Sequence, residues 1–133
     1  MNIDLYSSFI DERGFLLPIE FDLIPFIVKR IFVIKNVPIN TIRGNHAHYK
    51  TKQYLLCLQG KIEVIINNGL YETKTLLNNN EGLLIDEMLW DAQKFLTENT
   101  ILLVLCSTKY DENDYIFNFN EFKEIKNYNK IID

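Results

Sequence analysis

The chain of 133 residues has little that points to nucleic acid or to a membrane. It has 14 Lys and Arg against 18 Asp and Glu, a net charge of −4, and therefore no basic footprint for nucleic acid or for an anionic lipid surface. No apolar run approaches the roughly 20 residues that cross a bilayer. We therefore expect neither nucleic acid nor membrane as a partner.

Signals for secretion and for disulfides are also scarce. The first residues, Met1-Asn2-Ile3-Asp4, contain no basic region and no apolar stretch, so we expect no secretion signal and a cytoplasmic location. The two cysteines, Cys57 and Cys106, both lie inside apolar runs. That setting favours buried free thiols over a disulfide or a nucleophile.

Short apolar runs separated by turn residues fill most of the chain and predict strands. The pair Asn68-Gly69 predicts a hairpin with a type I′ turn, because both residues tolerate positive φ. Evenly spaced short strands indicate a β-sandwich or barrel, and the hydrophobic fraction of 47% is enough for the core of one domain. The predicted strands cover residues 14–21, 26–34, 52–58, 61–66, 70–77, 83–86 and 101–107.

A helical pattern occurs at the end of the chain. Asn118 or Asn120 is the expected N-cap of this helix, which we expect to pack outside the β-structure. The apolar residues that recur there at three- and four-residue spacing are Tyr115, Phe119, Phe122 and Ile125.

Both histidines of the chain stand two residues apart, at His46 and His48. Alternate residues of a strand point to one face, so an extended backbone directs both imidazoles into one space. Two groups that titrate near neutral pH suit either metal ligation or proton transfer. The residues alone leave both open, with two structural histidines as a third possibility.

The spacing from His46-x-His48 to Gln53 and Gly60 resembles the first cupin motif, in which two histidines and a carboxylate precede a turn glycine. Gln53 stands where the carboxylate would be, and the later ligand position falls on Asp91. A neutral amide is a poor ligand for transition metals, which favours acid–base work. A metal held by His46, His48 and Asp91 stays open if Asp91 points inward.

Motifs along essentially the whole chain resemble the sugar 3,4-ketoisomerases of dTDP-linked deoxysugar biosynthesis, the WxcM-like cupins. The central motif joins Arg43-Gly44-Asn45-His46-Ala47-His48 to Gln53-x-Leu55-x-Cys57-Leu58-x-Gly60. The other matches are Asp11-x-Arg13-Gly14, Pro25-Phe26-x-x-Lys29-Arg30 and Tyr110-Asp111-Glu112-x-Asp114-Tyr115-Ile116.

The resemblance implies a fold and an activity. The fold is a cupin-type β-barrel or jelly roll with a short C-terminal helix, in one domain over residues 1–133, and the family forms homodimers that exchange N-terminal strands. The activity is an isomerase that moves the ketone of dTDP-4-keto-6-deoxyglucose from C4 to C3, without a metal or other cofactor, in deoxyamino-sugar biosynthesis for surface polysaccharide. His46 and His48 are the catalytic candidates, one for the carbon-bound proton and the other for protons on the oxygens.

The candidate substrate-binding residues are Arg13, Phe15, Arg30, Arg43, Asn45, Lys52, Gln53, Trp90 and Asp91. The three arginines suit a diphosphate, because a guanidinium makes paired hydrogen bonds, while Arg43, Lys52 or Gln53 would stabilise an enediolate. Phe15 offers an apolar contact near the sugar, and Trp90 either stacks on the ligand or packs in the core. Tyr110 and Tyr115 are expected to close the barrel end or pack the helix.

One departure from the family pattern concerns Asp91. The chain has Trp90-Asp91-Ala92-Gln93 where relatives commonly have Trp-His-Glu-Met. A carboxylate beside two imidazoles would raise their pKa values, or the change marks altered stereochemistry at C4. Two other classes of function stay open: a non-catalytic cupin that binds a sugar nucleotide, and a metal-dependent cupin that uses His46, His48 and Asp91.

Overall fold

The structure, a computed structural model, describes residues 2–132, with side chains from 2 to 128. The described chain is mostly β-strand, with short 3₁₀ turns at Phe21–Leu23 and Glu112–Asp114 and an α-helix at its end. The strands are β1 (Ile3–Leu5), β2 (Phe9–Asp11), β3 (Gly14–Leu16), β4 (Arg30–Ile34), β5 (Ile42–His48), β6 (Gln53–Gln59), β7 (Ile62–Asn67), β8 (Glu72–Leu77), β9 (Glu81–Ile85), β10 (Trp90–Phe95), β11 (Ile101–Cys106) and β12 (Tyr115–Ile116), and the helix is α1 (Phe119–Ile132).

Two five-stranded antiparallel sheets build the body of the molecule. The first has the order β1-β9-β6-β11-β4 and the second β12-β5-β10-β7-β8. Their sequence-distant neighbours mean that the chain crosses repeatedly from one sheet to the other. Strands β2 and β3 form a separate hairpin. The prediction of an all-β barrel or jelly roll with a short C-terminal helix is confirmed.

The core lies between the inner faces of the two sheets. On β7, Ile62, Val64 and Ile66 alternate with less buried residues, as expected for a strand with one face in the core. They belong to one buried cluster with Leu55 and Val104 from the opposite sheet. Burying each such side chain contributes roughly 1.5–3 kcal/mol, and this cluster holds the two sheets together.

The hairpin between β7 and β8 forms as predicted, but its turn is not type I′. Of the predicted pair, Gly69 alone has positive φ, at 97°, and the loop spans residues 68–71. Asn68 Oδ1 accepts hydrogen bonds from the amides of Leu70 and Tyr71, each at 2.9 Å. Side-chain capping of a longer loop therefore replaces the two-residue turn.

Two predicted strands are shorter in the structure. The predicted strand 26–34 begins only at Arg30, and the predicted strand 14–21 ends at Leu16, two residues before Pro18. Proline has no N–H for a sheet ladder and restricts the residue before it. The segment between these strands contains the Phe21–Leu23 turn.

The C-terminal helix begins after the predicted cap. Asn118 Oδ1 accepts a hydrogen bond from the amide of Glu121 at 2.9 Å, which confirms Asn118 as the capping residue. Phe122 is fully buried in a cluster with Ala47 and Ile116, so the helix packs on the outside of the second sheet. Tyr115, predicted to lie on the helical face, lies on β12 instead.

Cys57 and Cys106 are both buried and free, as predicted. Within residues 2–132, no helix is long and apolar enough to cross a membrane.

Candidate active site

The two histidines lie side by side on the inner face of β5. The centroids of the His46 and His48 rings are 5.2 Å apart, with the rings nearly perpendicular. Ala47, between them, packs on the opposite side with the helix cluster. The predicted shared face is confirmed, and it follows from strand alternation.

A cavity of about 350 Å³ opens between the sheets at this point, a volume typical of small-molecule sites. Its apolar wall includes Phe32, Leu55 and Val104. Its polar lining consists of Arg30, Arg43, His46, Gln53, Gln93 and Tyr115.

The first sheet presents a row of three neighbouring side chains to this cavity region. Cys106 on β11 is the register partner of both Arg30 on β4 and Gln53 on β6. The Arg30 guanidinium lies 4.8 Å from the ring centroid of Phe32 and 5.0 Å from that of Tyr110, so aromatic faces hold it in place. Gln53 Nε2 donates to Cys106 Sγ at 3.7 Å.

The second sheet holds His48 against a buried carboxylate. His48 Nδ1 lies 3.3 Å from Asp114 Oδ2, an ion-pair distance without hydrogen-bond alignment. Asp114 also accepts hydrogen bonds from the backbone amides of Lys50, at 2.9 Å, and Thr51, at 3.1 Å, and from the Thr51 hydroxyl. The ring of Tyr115 lies 4.3 Å from that of His48 and 5.2 Å from that of His46.

Burial keeps both imidazoles neutral at pH 7. It lowers the pKa of His46 to about 4, with the neighbouring His48 adding to the effect. Burial also lowers the pKa of His48, although Asp114 partly opposes the shift. The expectation that Asp91 would raise these pKa values is wrong, because Asp91 is itself so deeply buried that its pKa rises to about 7.

Asp91 lies on β10 directly opposite His46 in register, on the inner side of the barrel. It is fully buried and accepts a hydrogen bond from Gln93. The inward position that a metal triad would require is therefore met. Among the described residues, however, no three His, Cys, Asp or Glu side chains are placed to share a metal ion.

Three candidate binding residues lie away from the cavity. Asn45 alternates with the inward His46 and lies on the outer face, at a register shift in the β5–β10 pairing and with a positive φ of 60°, where it lines a groove with Trp90 and Phe119. The Trp90 ring is 5.3 Å from that of Phe119, so Trp90 packs the helix onto the sheet. Lys52 alternates with the inward Gln53 and lies 3.9 Å from carboxylate oxygens of Asp86 and Glu87. Asn45, Trp90 and Lys52 do not line this cavity.

Arg13 and Phe15 lie on the separate β2–β3 hairpin and do not line the cavity of their own chain. The Arg13 side chain is 85% exposed and pairs with Asp11 at 2.6 Å. Phe15 is 53% exposed, and its neighbours Phe9 and Ile10 are more exposed still.

Sequence reasoning missed three residues of the site: Gln93, Asp114 and Tyr115. Gln93 follows Asp91 by two positions, so strand alternation was a usable signal for it. Tyr115 was hidden because its spacing fits the helix that follows. Asp114 lies 66 residues after His48 along the chain, and local patterns contain no sign of that contact.

A barrel of two antiparallel sheets with a histidine pair on its inner face is the architecture of a cupin. A family model described as WxcM-like, C-terminal, matches residues 1–127. A curated TDP-4-oxo-6-deoxy-alpha-D-glucose-3,4-oxoisomerase from Aneurinibacillus thermoaerophilus is 36% identical over 121 residues, which are 90% of this chain and 87% of that protein. The chain belongs to the WxcM-like family, as its motifs predicted.

Solved structures agree with this assignment. QdtA, a sugar 3,4-ketoisomerase from Thermoanaerobacterium thermosaccharolyticum in complex with TDP, is 34% identical with a TM-score of 0.87, and the match covers 96% of this chain and 95% of QdtA. WlaRA, a TDP-fucose-3,4-ketoisomerase from Campylobacter jejuni, is 35% identical with a TM-score of 0.84 and 96% coverage of both chains. A variant of QdtA binds TDP-4-keto-6-deoxyglucose.

Proposed function

We propose that the protein is a sugar-nucleotide 3,4-ketoisomerase that converts dTDP-4-keto-6-deoxyglucose into a dTDP-3-keto-6-deoxyhexose. The observation that carries the proposal is the neutral His46 on the wall of a ligand-sized cavity, with a second neutral histidine behind it. A neutral imidazole accepts a proton, as the first step of a ketone migration requires. The curated relative is named a 3,4-oxoisomerase and QdtA a sugar 3,4-ketoisomerase, which supports the proposal.

The reaction needs only proton transfers. His46, which lines the cavity, removes the C3 proton that the adjacent C4 carbonyl acidifies, and an enediolate forms. A proton is then added at C4, while the C3 oxygen loses its proton and the C4 oxygen gains one. His48 takes part in these oxygen transfers, and Asp114 stabilises its imidazolium. Atoms and electrons balance within the sugar, so no external oxidant or reductant is required.

Cations and donors at the cavity suit the rest of the ligand. Arg30 and Arg43 line the cavity and are our candidates for binding the diphosphate or stabilising the enediolate. Gln53, buried on the opposite sheet, is a further contact to the sugar. Asp91 acts behind the cavity wall rather than as a direct ligand.

We also propose that the protein works as a homodimer with exchanged N-terminal strands. The β2–β3 hairpin exposes apolar side chains, with Ile10 at 75% and Leu16 at 59% exposed, and a partner subunit would cover them. Exchange would deliver Arg13 and Phe15 to the other subunit's cavity. Sedimentation equilibrium would test this, and a monomer at micromolar concentration would contradict it.

We assign the reaction to the cytoplasm, in the synthesis of a deoxyamino sugar for surface polysaccharide. Two free, buried thiols suit a reducing compartment. A 3-keto sugar is chemically ready for transamination, so an aminotransferase is the class of enzyme that would consume the product.

The decisive experiment incubates the protein with dTDP-4-keto-6-deoxyglucose in deuterated buffer and follows the sugar by NMR. We expect the ketone to migrate with deuterium entering at C4, and the coupling constants then give the C4 configuration. The variants His46→Asn and His48→Asn should lose at least about 100-fold in rate and still bind dTDP. Lys74→Met, on the exposed face of β8, is the matched control.

Three other results would contradict the proposal. Full activity in both histidine variants would rule out this mechanism. Binding without exchange or migration would make the protein a non-catalytic sugar-nucleotide cupin. Loss of activity after chelation, with recovery on adding a divalent metal, would favour the metal-dependent alternative.

A further inference from the structure

The inner face of β10 carries a buried carboxyl–amide pair that the proposed proton transfers do not use. Asp91 is fully buried, and its Oδ2 accepts a hydrogen bond from Gln93 Nε2. Its Oδ1 has no hydrogen-bond partner among the described residues. Gln93, unlike Asp91, lines the cavity that contains His46.

The hydrogen bond to Asp91 fixes which way the Gln93 amide faces. Gln93 Nε2 donates to Asp91 Oδ2, so the NH₂ group of Gln93 is directed at Asp91 and its Oε1 lies on the other side. Gln93 Oε1 is 3.2 Å from the point where a Cβ on Gly44 would stand. Gly44 also lines the cavity, and its missing side chain leaves room for this oxygen.

Gln53, on the opposite sheet, has a similar arrangement. Its Nε2 donates to the buried Sγ of Cys106, which leaves its own Oε1 available to a ligand. The cavity therefore has two amide groups whose NH₂ ends are each directed at a buried atom, next to the neutral His46. Free acceptors of this kind suit the hydroxyl groups of a sugar, whereas the arginines suit anionic groups.

We propose that Gln93 is a specificity-determining residue whose Oε1 accepts a hydrogen bond from a hydroxyl group of the hexose ring. Asp91 is the positioning residue that turns the amide so that this acceptor faces the cavity. The inference rests on the proposed function for the identity of the ligand. A polar group placed to bind a substrate hydroxyl also rejects analogues that lack it, because its own hydrogen bond is then lost.

The test compares two stable ligands, dTDP and dTDP-glucose, by isothermal titration calorimetry. Gln93→Met keeps the length of the side chain and removes the acceptor. We expect dTDP-glucose to bind about 5- to 10-fold more weakly and dTDP to bind as before. Lys94→Met, the neighbouring residue on the other face of β10, should change neither affinity.

Asp91→Asn tests the positioning role. The introduced amide can donate to Gln93 Oε1, which lets the Gln93 amide turn over and present its NH₂ group to the cavity. We expect this variant to bind dTDP-glucose more weakly, as Gln93→Met does, and to bind dTDP with unchanged affinity. The double variant should bind dTDP-glucose no more weakly than Gln93→Met alone does, because both changes remove the same acceptor from the cavity.

Unchanged affinity of Gln93→Met for dTDP-glucose, or equal loss for both ligands, would overturn the specificity role. Strictly multiplicative effects in the double variant would overturn the positioning role of Asp91. Both readouts are binding measurements on folded protein, checked by circular dichroism. A wild-type protein that binds dTDP-glucose but does not isomerise the keto sugar would refute the proposed function and leave this inference standing.

Discussion

Two buried carboxyl groups flank the histidine pair, and their surroundings differ. Asp114 lies beside the turn that joins β5 to β6 and accepts hydrogen bonds from two backbone amides and one hydroxyl. Asp91 lies in the middle of β10, where Gln93 is its donor and one of its oxygens is without a partner. The number of nearby donors therefore decides how well each of the two buried carboxyl groups is hydrogen-bonded.

The difference follows from local backbone geometry. Around Lys50 and Thr51 the chain turns and leaves amide N–H groups outside any sheet ladder, so a carboxylate there satisfies donors that need a partner. In β10 the backbone N–H and C=O groups are already hydrogen-bonded to the neighbouring strands β5 and β7. Asp91 can therefore be satisfied only by side chains on its own inner face.

The largest effect is expected from Asp114→Ala. The change leaves the amides of Lys50 and Thr51 and the Thr51 hydroxyl without their acceptor inside the protein. Truncating one partner of such a buried network costs about 3–5 kcal/mol, measured as a lower unfolding free energy in urea at pH 7. Glu112→Gln, an exposed neighbour, should change it by less than about 0.5 kcal/mol.

A loss below about 1 kcal/mol for Asp114→Ala would mean that water replaces these contacts without cost. Asp114→Asn gives a second measure, because it keeps the size of the side chain and removes the charge that opposes the burial effect on His48. In that variant the pKa of His48 should fall further, seen by NMR titration of the imidazole. An unchanged His48 pKa would contradict the electrostatic role.

A smaller effect of the opposite sign is expected from Asp91→Asn. The pKa of Asp91 is about 7 in the folded chain against 3.8 when exposed, so the folded state holds the extra proton between these values. This contribution to stability is present at low pH and is lost as the pH rises through 7. The shift corresponds to about 4 kcal/mol at most.

The amide variant does not ionise, so it should gain stability relative to wild type between pH 5 and pH 9, by about 2–4 kcal/mol. Urea unfolding at both pH values measures the gain. Protonation of His46 destabilises the folded state as the pH falls from 6.5 toward 4, but this effect is common to the wild type and the Asp91→Asn variant. If the unfolding free energies of Asp91→Asn and wild type differed by the same amount at pH 5 and pH 9, the titration of Asp91 would be contradicted.

The contrast also shows how far the sequence predicts the molecule. The family motifs predicted the fold class, strand alternation predicted the inward histidine pair, and the apolar runs around Cys57 and Cys106 predicted the buried cysteines. Alternation from His46 places Asn45 on the outer face, where it lies, but it does not predict that Arg43 faces the cavity, which depends on the register shift at Asn45. The capped loop at Asn68 replaced the predicted tight turn. Asp114 belongs to one of the matched motifs, but its contacts were not predicted, because they join segments more than 60 residues apart.

The smallest expected effect concerns the hydroxyl pair behind Asp114. Thr51 Oγ1 must donate to the carboxylate, which only accepts, so the 2.7 Å contact between the Thr51 and Thr108 hydroxyls must use the proton of Thr108. Thr108→Val removes that donor and should cost about 1 kcal/mol in urea unfolding, while Thr108→Ser should cost less. In a double-mutant cycle, Thr108→Val should couple to Asp114→Asn and be additive with Asp91→Asn. Coupling to Asp91 instead would show that the two carboxyl groups belong to one network.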